Sequence, residues 1–444
     1  MAPLDRRTFL RAAGISAAAV PLAPGLAGAV TAPADPATQG PQPNGHSRVR
    51  TGADVLAAQN FSPLSGTKVG IITNPTGIGA DLRSIVDAMH ASGAVDIVGV
   101  FGPEHGFRGT AQAGESEETY VDPRTGLTVY DAYGATVDKL VGMFTTAGVQ
   151  TVVFDIQDAG ARFYTYIWTM YTAMKAAVAV DANFVVLDRP NPTGGVARGP
   201  LMTDAYTSGV GAEAIVQAHG MTVGELAGYL DGEILPTDTD GKQLRKLTVV
   251  KMRGWRPSMR YADTGLPWVP PSPNMPTPDT ALLYPGTGMF EGLWLSEGRG
   301  TTRPFELIGA PDVDYRWAET LAARNIPGVG FREAYFTPTF SKFVGEVCGG
   351  VQVQITDPAK LDPIRVAVEM MVAAKALYPG FGWRYDSYDP VRPHWIDKLT
   401  GSTRLREQIS GGASADEVIG SWRDELSAFD HRRRQYLLYP GRRA

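Results

Sequence analysis

The sequence predicts an α/β protein, with a parallel sheet covered on both faces followed by a smaller α/β domain. Three observations carry this. Short β-branched apolar runs alternate with stretches whose apolar residues recur every three or four positions, the pattern of strands joined by crossover helices. Each of the first four runs stops at a polar loop rich in Gly, Pro or Asp. After Gly254 the composition shifts to Pro, Gly, Trp and polar residues, and a second set of helix and strand patterns follows.

The elements read in order as follows. Thr51 to Gln59 is a short helix, and Lys68 to Thr73 is a strand ending in Asn74-Pro75-Thr76-Gly77. Asp81 to His90, with Leu82, Ile85, Val86 and Met89, is a helix packed on a sheet. Asp96 to Phe101 is a strand that stops at Gly102-Pro103-Glu104-His105, where Gly and Pro force a sharp turn and present the glutamate and histidine at the sheet edge. Gly109 to Gly134, with Glu115, Glu117 and Glu118, is a less regular insertion read as a flap over the strand ends. Thr136 to Ala147 is helical, and Thr151 to Phe154 is a strand closing in Asp155-Ile156-Gln157-Asp158. A helix from Tyr164 to Val180 leads to the strand Phe184 to Leu187, which closes in Asp188-Arg189-Pro190-Asn191-Pro192. His219 precedes a helix whose Thr222 and Glu225 fit a capping box, and is either structural or pocket-lining. Beyond the Pro/Gly-rich segment come a helix near Tyr315 to Arg324, strands near Phe331 to Phe336 and Val351 to Thr356, and helices near Asp362 to Ala376 and Ala415 to Tyr436.

Parallel pairing places all four polar loops on one edge of the sheet, where α/β proteins bind ligands. This makes Asn74, Glu104, His105, Asp155, Asp158, Arg189 and Asn191 candidate site residues.

At 444 residues the chain has room for two cores, and a net charge of −5 with both signs interspersed gives no sign of a nucleic-acid partner. No apolar run reaches the eighteen residues of a membrane span, and the single Cys348 has no internal disulfide partner. Arg6-Arg7 followed by Phe9-Leu10, an apolar run and Ala27-Gly28-Ala29 reads as a twin-arginine export signal. The expected organisation is therefore a signal over 1–29, a flexible Pro/Ala-rich leader over 30–47, a catalytic domain over 48–265 and a smaller domain over 266–444 that includes the Pro/Gly-rich loops. Export places the protein in the periplasm, in the cell wall or outside the cell.

The sequence lacks a Gly-x-Gly-x-x-Gly after its first strand, a phosphate-binding Gly-x-x-x-x-Gly-Lys and a Gly-x-Ser-x-Gly elbow. Dinucleotide, phosphoryl-transfer and serine-hydrolase chemistry thus lose their usual support. With no His-x-x-x-His or Cys-x-x-Cys spacing, neither a metal nor a cofactor is expected. What remains is carboxylate chemistry: Glu104, set between Phe101 and Phe107, has the surroundings that raise a glutamate pKa and let it donate a proton, as in glycosidic bond cleavage. Tyr164, Tyr166 and Trp168 offer rings for stacking on a sugar.

Together, Phe101 to Gly109, Asp155 to Asp158 with Gly160 to Tyr166, Asp188 to Pro192, Pro271-Ser272-Pro273-Asn274-Met275-Pro276 and Leu295 to Glu306 resemble the NamZ-type exo-β-N-acetylmuramidases over about Gly52 to Tyr439. The resemblance implies a Rossmann-like N-terminal domain, a smaller C-terminal domain and an active-site cleft between them. It also implies release of N-acetylmuramic acid from the non-reducing end of peptidoglycan fragments, with Glu104 as the acid. The second carboxylate is Asp155, Asp158 or Glu297, or else the substrate's own 2-acetamido group is the nucleophile and one of these acids orients it. The lactyl carboxylate calls for an arginine, from Arg162, Arg299 or Arg303, each of which has the alternative role of structural ion-pair partner. Tyr164 and Asn274 complete the expected substrate contacts. Two rival readings stay open: a cell-wall binding module without turnover, and an amidase or esterase acting on the stem peptide or lactyl link.

Overall fold

The computed structural model describes residues 48–110 and 117–441. The expected signal and leader lie outside the described residues, as does Glu115 of the insertion. The strands, in chain order, are β1 (Lys68–Thr73), β2 (Asp96–Gly102), β3 (Tyr120–Val121), β4 (Thr128–Asp131), β5 (Thr151–Asp155), β6 (Asn183–Leu187), β7 (Arg198–Leu201), β8 (Val216–Ala218), β9 (Leu247–Val250), β10 (Leu307–Ala310), β11 (Val329–Phe336) and β12 (Cys348–Ile355).

The large sheet runs β3-β4-β2-β1-β5-β6-β9 and is parallel except for the β3–β4 pair. Side chains alternate across it, as a sheet buried on both faces requires. Ile72, Phe101, Val152, Phe154, Phe184 and Val186 face one core, shared with helices Val137–Ala147 and Tyr166–Ala179. Val69, Ile71, Val100, Val153, Val185 and Leu187 face the other, shared with helices Gly52–Ala57 and Ile85–Ser92. The chain leaves β1 toward β2 and later crosses to β5 on the opposite side of β1. That reversal opens a crevice at the carboxyl ends of β1 and β5, where Asn74 and Asp155 stand.

The insertion differs from the expected flap. Residues of β3 and β4 form an antiparallel ribbon that extends the sheet beyond β2. Arg108 pins it by donating to Asp87 and Asp122, both nearly buried, at 2.8 and 2.9 Å.

A second sheet, β10-β12-β11, is antiparallel and packs with helices Tyr315–Ala323 and Pro363–Leu377. Helix Pro278–Thr287, read in the sequence as part of a loop, joins the two halves: Ala281 and Tyr284 belong to the core of the large sheet and Leu283 to that of the small one. The chain end packs back onto the large sheet. Phe429, on helix Arg423–Arg433, packs in the core of the large sheet, and Tyr439 hydrogen-bonds Asp188 at the end of β6. The described residues accordingly fall within a single compact unit.

Candidate active site

The β2 loop is a strained turn. Gly106 N–H donates to Pro103 O at 2.9 Å, and His105 and Gly106 both have positive φ, 72° and 74°. The positive φ of Gly106 is a backbone conformation that favours glycine. A buried non-glycine residue held at positive φ is the kind of strain that clusters at working sites. Phe101 and Phe107, expected to shield Glu104, turn instead into the two cores on opposite faces of the sheet. The aromatic setting of Glu104 comes from tyrosines of other elements. Burial pushes the phenols of Tyr133, Tyr164, Tyr166 and Tyr284 above their ordinary value, and the Glu104 carboxylate adds to the push on each. Thr165 Oγ1 donates to Glu104 Oε2 at 3.3 Å. Tyr166 donates to Pro271 O at 2.7 Å, which brings the Pro271–Pro276 segment to the same place.

Asn74 lies beside Tyr166 and is buried. Its Oδ1 accepts from Thr76 N–H and Oγ1 at 3.0 and 2.5 Å, closing the β1 turn. Asp158, on the β5 loop, is also buried. Its Oδ2 accepts from Gly160 N–H at 2.8 Å and meets His219 Nε2 at 3.1 Å. Met221 N–H donates to His219 Nδ1 at 3.2 Å, which leaves the ring proton on Nε2, directed at Asp158. Gly160 has φ 74°, and a Cβ there would stand 2.3 Å from Asn191 Oδ1. This fixes the role of Asn191, whose amide donates to Met221 O at 2.9 Å while its oxygen holds Thr193. It clamps the loop.

Three more candidates are held by partners within the protein. Asp155 is fully buried and takes a two-pronged ion pair from Arg189, at 2.6 and 2.8 Å. Arg189 also donates to Ile78 O at 3.0 Å. Arg162 is fully buried and donates to the carbonyls of Pro200, Ile215 and Leu399 at 2.7 to 2.9 Å. Glu297 is buried against Lys342 at 2.9 Å and Arg299 at 3.4 Å. Burial resists its ionisation, but these two cations outweigh it and hold its carboxyl below the usual range.

Of the remaining residues, Arg299 also pairs with Glu291 at 2.8 Å and stacks on Phe305, whose ring meets Tyr284 at 4.7 Å. It is thereby tied to the tyrosine cluster around Glu104. Arg303 is half exposed and pairs with Glu306 at 3.3 Å, and Asn274 is buried within the segment tied to Tyr166. Trp168 is core, its Nε1 donating to Arg162 O at 2.8 Å. Tyr284, Lys342 and the Asp158–His219 pairing are what the sequence reading missed. The first two come from far along the chain, and no spacing signals them.

The two halves of the chain match a two-part family description. Residues 69–279 match the N-terminal and residues 282–439 the C-terminal part of the exo-β-N-acetylmuramidase NamZ family. The chain belongs to the NamZ family. It is 43% identical over 394 residues, 88% of this chain and 92% of the other, to the peptidoglycan β-N-acetylmuramidase NamZ of Bacillus subtilis strain 168. Two crystal structures of DUF1343 family proteins from Bacteroides fragilis NCTC 9343 share the fold. One has TM-score 0.77 at 38% identity, covering 88% of this chain and 99% of its own; the other has TM-score 0.69 at 29% identity, covering 89% and 100%. In this NamZ chain the two family parts meet between residues 279 and 282, inside helix Pro278–Thr287, whose Tyr284 lies next to the Glu104 cluster.

One neighbour of the site has a pH signature. Asp188 is buried and accepts hydrogen bonds from Arg189 N–H, Gly224 N–H, Thr222 and Tyr439. Burial pushes its carboxyl up to about 7 against the pull of Tyr439, Gly224 and Thr222. The folded value lies above the unfolded one, so the stabilisation is full below about pH 4 and is lost as pH rises to about 7. The melting temperature of the wild type minus that of Asp188→Asn should therefore fall between these limits. A difference that rises with pH would mean that the donors keep Asp188 ionised.

Proposed function

We propose that the protein is an exo-β-N-acetylmuramidase that removes N-acetylmuramic acid from the non-reducing end of peptidoglycan fragments, with Glu104 as the general acid. The observation that carries the assignment of Glu104 is its position: a carboxyl group on a strained turn at the carboxyl edge of the sheet, whose charge is felt by buried tyrosines of both family parts. Membership of the NamZ family supplies the substrate class. The test is the product formed from a muramic acid–glucosamine disaccharide. Free N-acetylmuramic acid is expected from the wild type and almost none from Glu104→Gln. Release of lactate or of a stem peptide would mean an esterase or amidase, and binding without turnover would mean a cell-wall module.

The Arg6-Arg7 pair and Ala27-Gly28-Ala29 support export by the twin-arginine route. Replacing both arginines with lysine should retain the enzyme in the cytoplasm, read by fractionation. Normal export of that variant would defeat this part of the proposal.

A further inference from the structure

We propose that Asp158 and Tyr164 form a receptor for the 2-acetamido group of the terminal sugar, and that this group, held there, is the nucleophile at the anomeric carbon. The inference rests on the muramidase reading and supplies what it leaves open, the partner of Glu104. Of the three acids expected to serve, Asp155 is bound on both oxygens by Arg189, and Glu297 is neutralised by Lys342 and Arg299. Asp158 is different. Its Oδ2 is occupied by Gly160 N–H and His219, while its Oδ1 is buried with no partner among the described residues. The Tyr164 hydroxyl is likewise buried without a partner. Buried polar atoms left unpaired are destabilising, so these two, six residues apart on the segment that follows β5 and electrostatically coupled, point to a missing ligand. Burial pushes the Tyr164 phenol well above 10, and Tyr166, Tyr284, Asp158 and Glu104 add to this, so the hydroxyl keeps its proton and acts as a donor.

The site thus offers one buried acceptor and one buried donor within electrostatic reach of each other. Tyr166 and Tyr284 wall it, their ring centroids 5.3 and 5.7 Å from that of Tyr164. A secondary amide with a methyl group is the complement: its N–H faces Asp158 Oδ1, its carbonyl oxygen faces Tyr164, and its methyl faces the rings. In the reaction that oxygen attacks C1 as the C1–O bond breaks, and Glu104 gives its proton to the departing oxygen. Asp158 stabilises the positive charge of the resulting oxazolinium ring through its N–H. Water then attacks C1 and gives a proton to Glu104, the ring reopens to the acetamide, and the sugar leaves with its β configuration retained.

The test uses aryl muramides whose N-acetyl group carries zero to three fluorines. Their leaving group needs little protonation, so the series reports on the nucleophile whether or not Glu104 is the acid. The kcat/KM of the wild type should fall with each fluorine, and the first-formed anomer, read by NMR, should be β. Asp158→Asn should lose roughly 10²- to 10³-fold on aryl muramide and disaccharide alike, the scale of a missing charge-stabilising contact. Tyr164→Phe deletes a single oxygen and should keep the fold while losing turnover more than tenfold. A flat response to fluorination, an α product, or a folded Tyr164→Phe as fast as wild type would overturn the proposal. The first two are read on the wild type, so they stand even if Asp158→Asn does not fold.

Discussion

Glu104→Gln should turn over the natural disaccharide roughly 10²- to 10⁴-fold more slowly than the wild type while binding it about as well. Glutamine keeps the size of the side chain and its hydrogen bond from Thr165, and removes only the proton available to the departing oxygen. The loss should shrink as the leaving group improves. A nitrophenol departs as a stable anion, whereas a sugar hydroxyl must be protonated as it goes. A plot of log kcat/KM against leaving-group pKa should therefore be shallow for the wild type and steep for the variant. Damage to the turn would slow every substrate by the same factor, because His105 and Gly106 at positive φ set the position of the whole loop. Parallel plots, or a disaccharide rate close to wild type, would remove Glu104 as the acid. The fluorinated-amide series would still report separately on Asp158.

What the sequence made legible was local. Strands ending in polar turns repeat from β1 to β6, so the candidate edge and most of its residues were readable from period and punctuation alone. Helix Pro278–Thr287 was not, because Pro285 and Gly286 sit inside its last turn and its apolar residues divide between two cores. No single stripe of helical period results. The roles of Asp155, Arg162 and Glu297 were hidden for another reason. Each is decided by partners distant in the chain: Arg189 for Asp155, the Leu399 carbonyl for Arg162 and Lys342 for Glu297. Residue type shows that an arginine or a carboxylate stands near the site, and only the tertiary structure shows which partners each one holds. The Asp158–His219 pair is an intermediate case. Each residue was noticed, but their meeting depends on how the Val216–Ala218 strand and the turn after it lie against the β5 loop.

Arg162 gives the largest expected effect on stability. Its guanidinium is fully buried, and burial pushes its pKa down to about 9, with the charge of Glu425 opposing the fall. Its two terminal nitrogens donate to Pro200 O, Ile215 O and Leu399 O, so it ties the β7–β8 ribbon to the carboxyl end of helix Trp395–Thr400. Arg162→Met keeps most of the volume and removes the donors. Three buried carbonyls then lose a charged partner, and at about 1–3 kcal/mol each the variant should be destabilised by several kcal/mol. Relief from burying the charge offsets part of this, as replacements of buried ions by apolar residues show. The expected outcome is a clearly lower denaturant midpoint, with KM for the surviving folded enzyme unchanged on muramides and on the matching glucosaminides that lack the lactyl group. That comparison decides the role. An arginine that bound the lactyl carboxylate would raise KM for muramides alone and leave the midpoint near wild type.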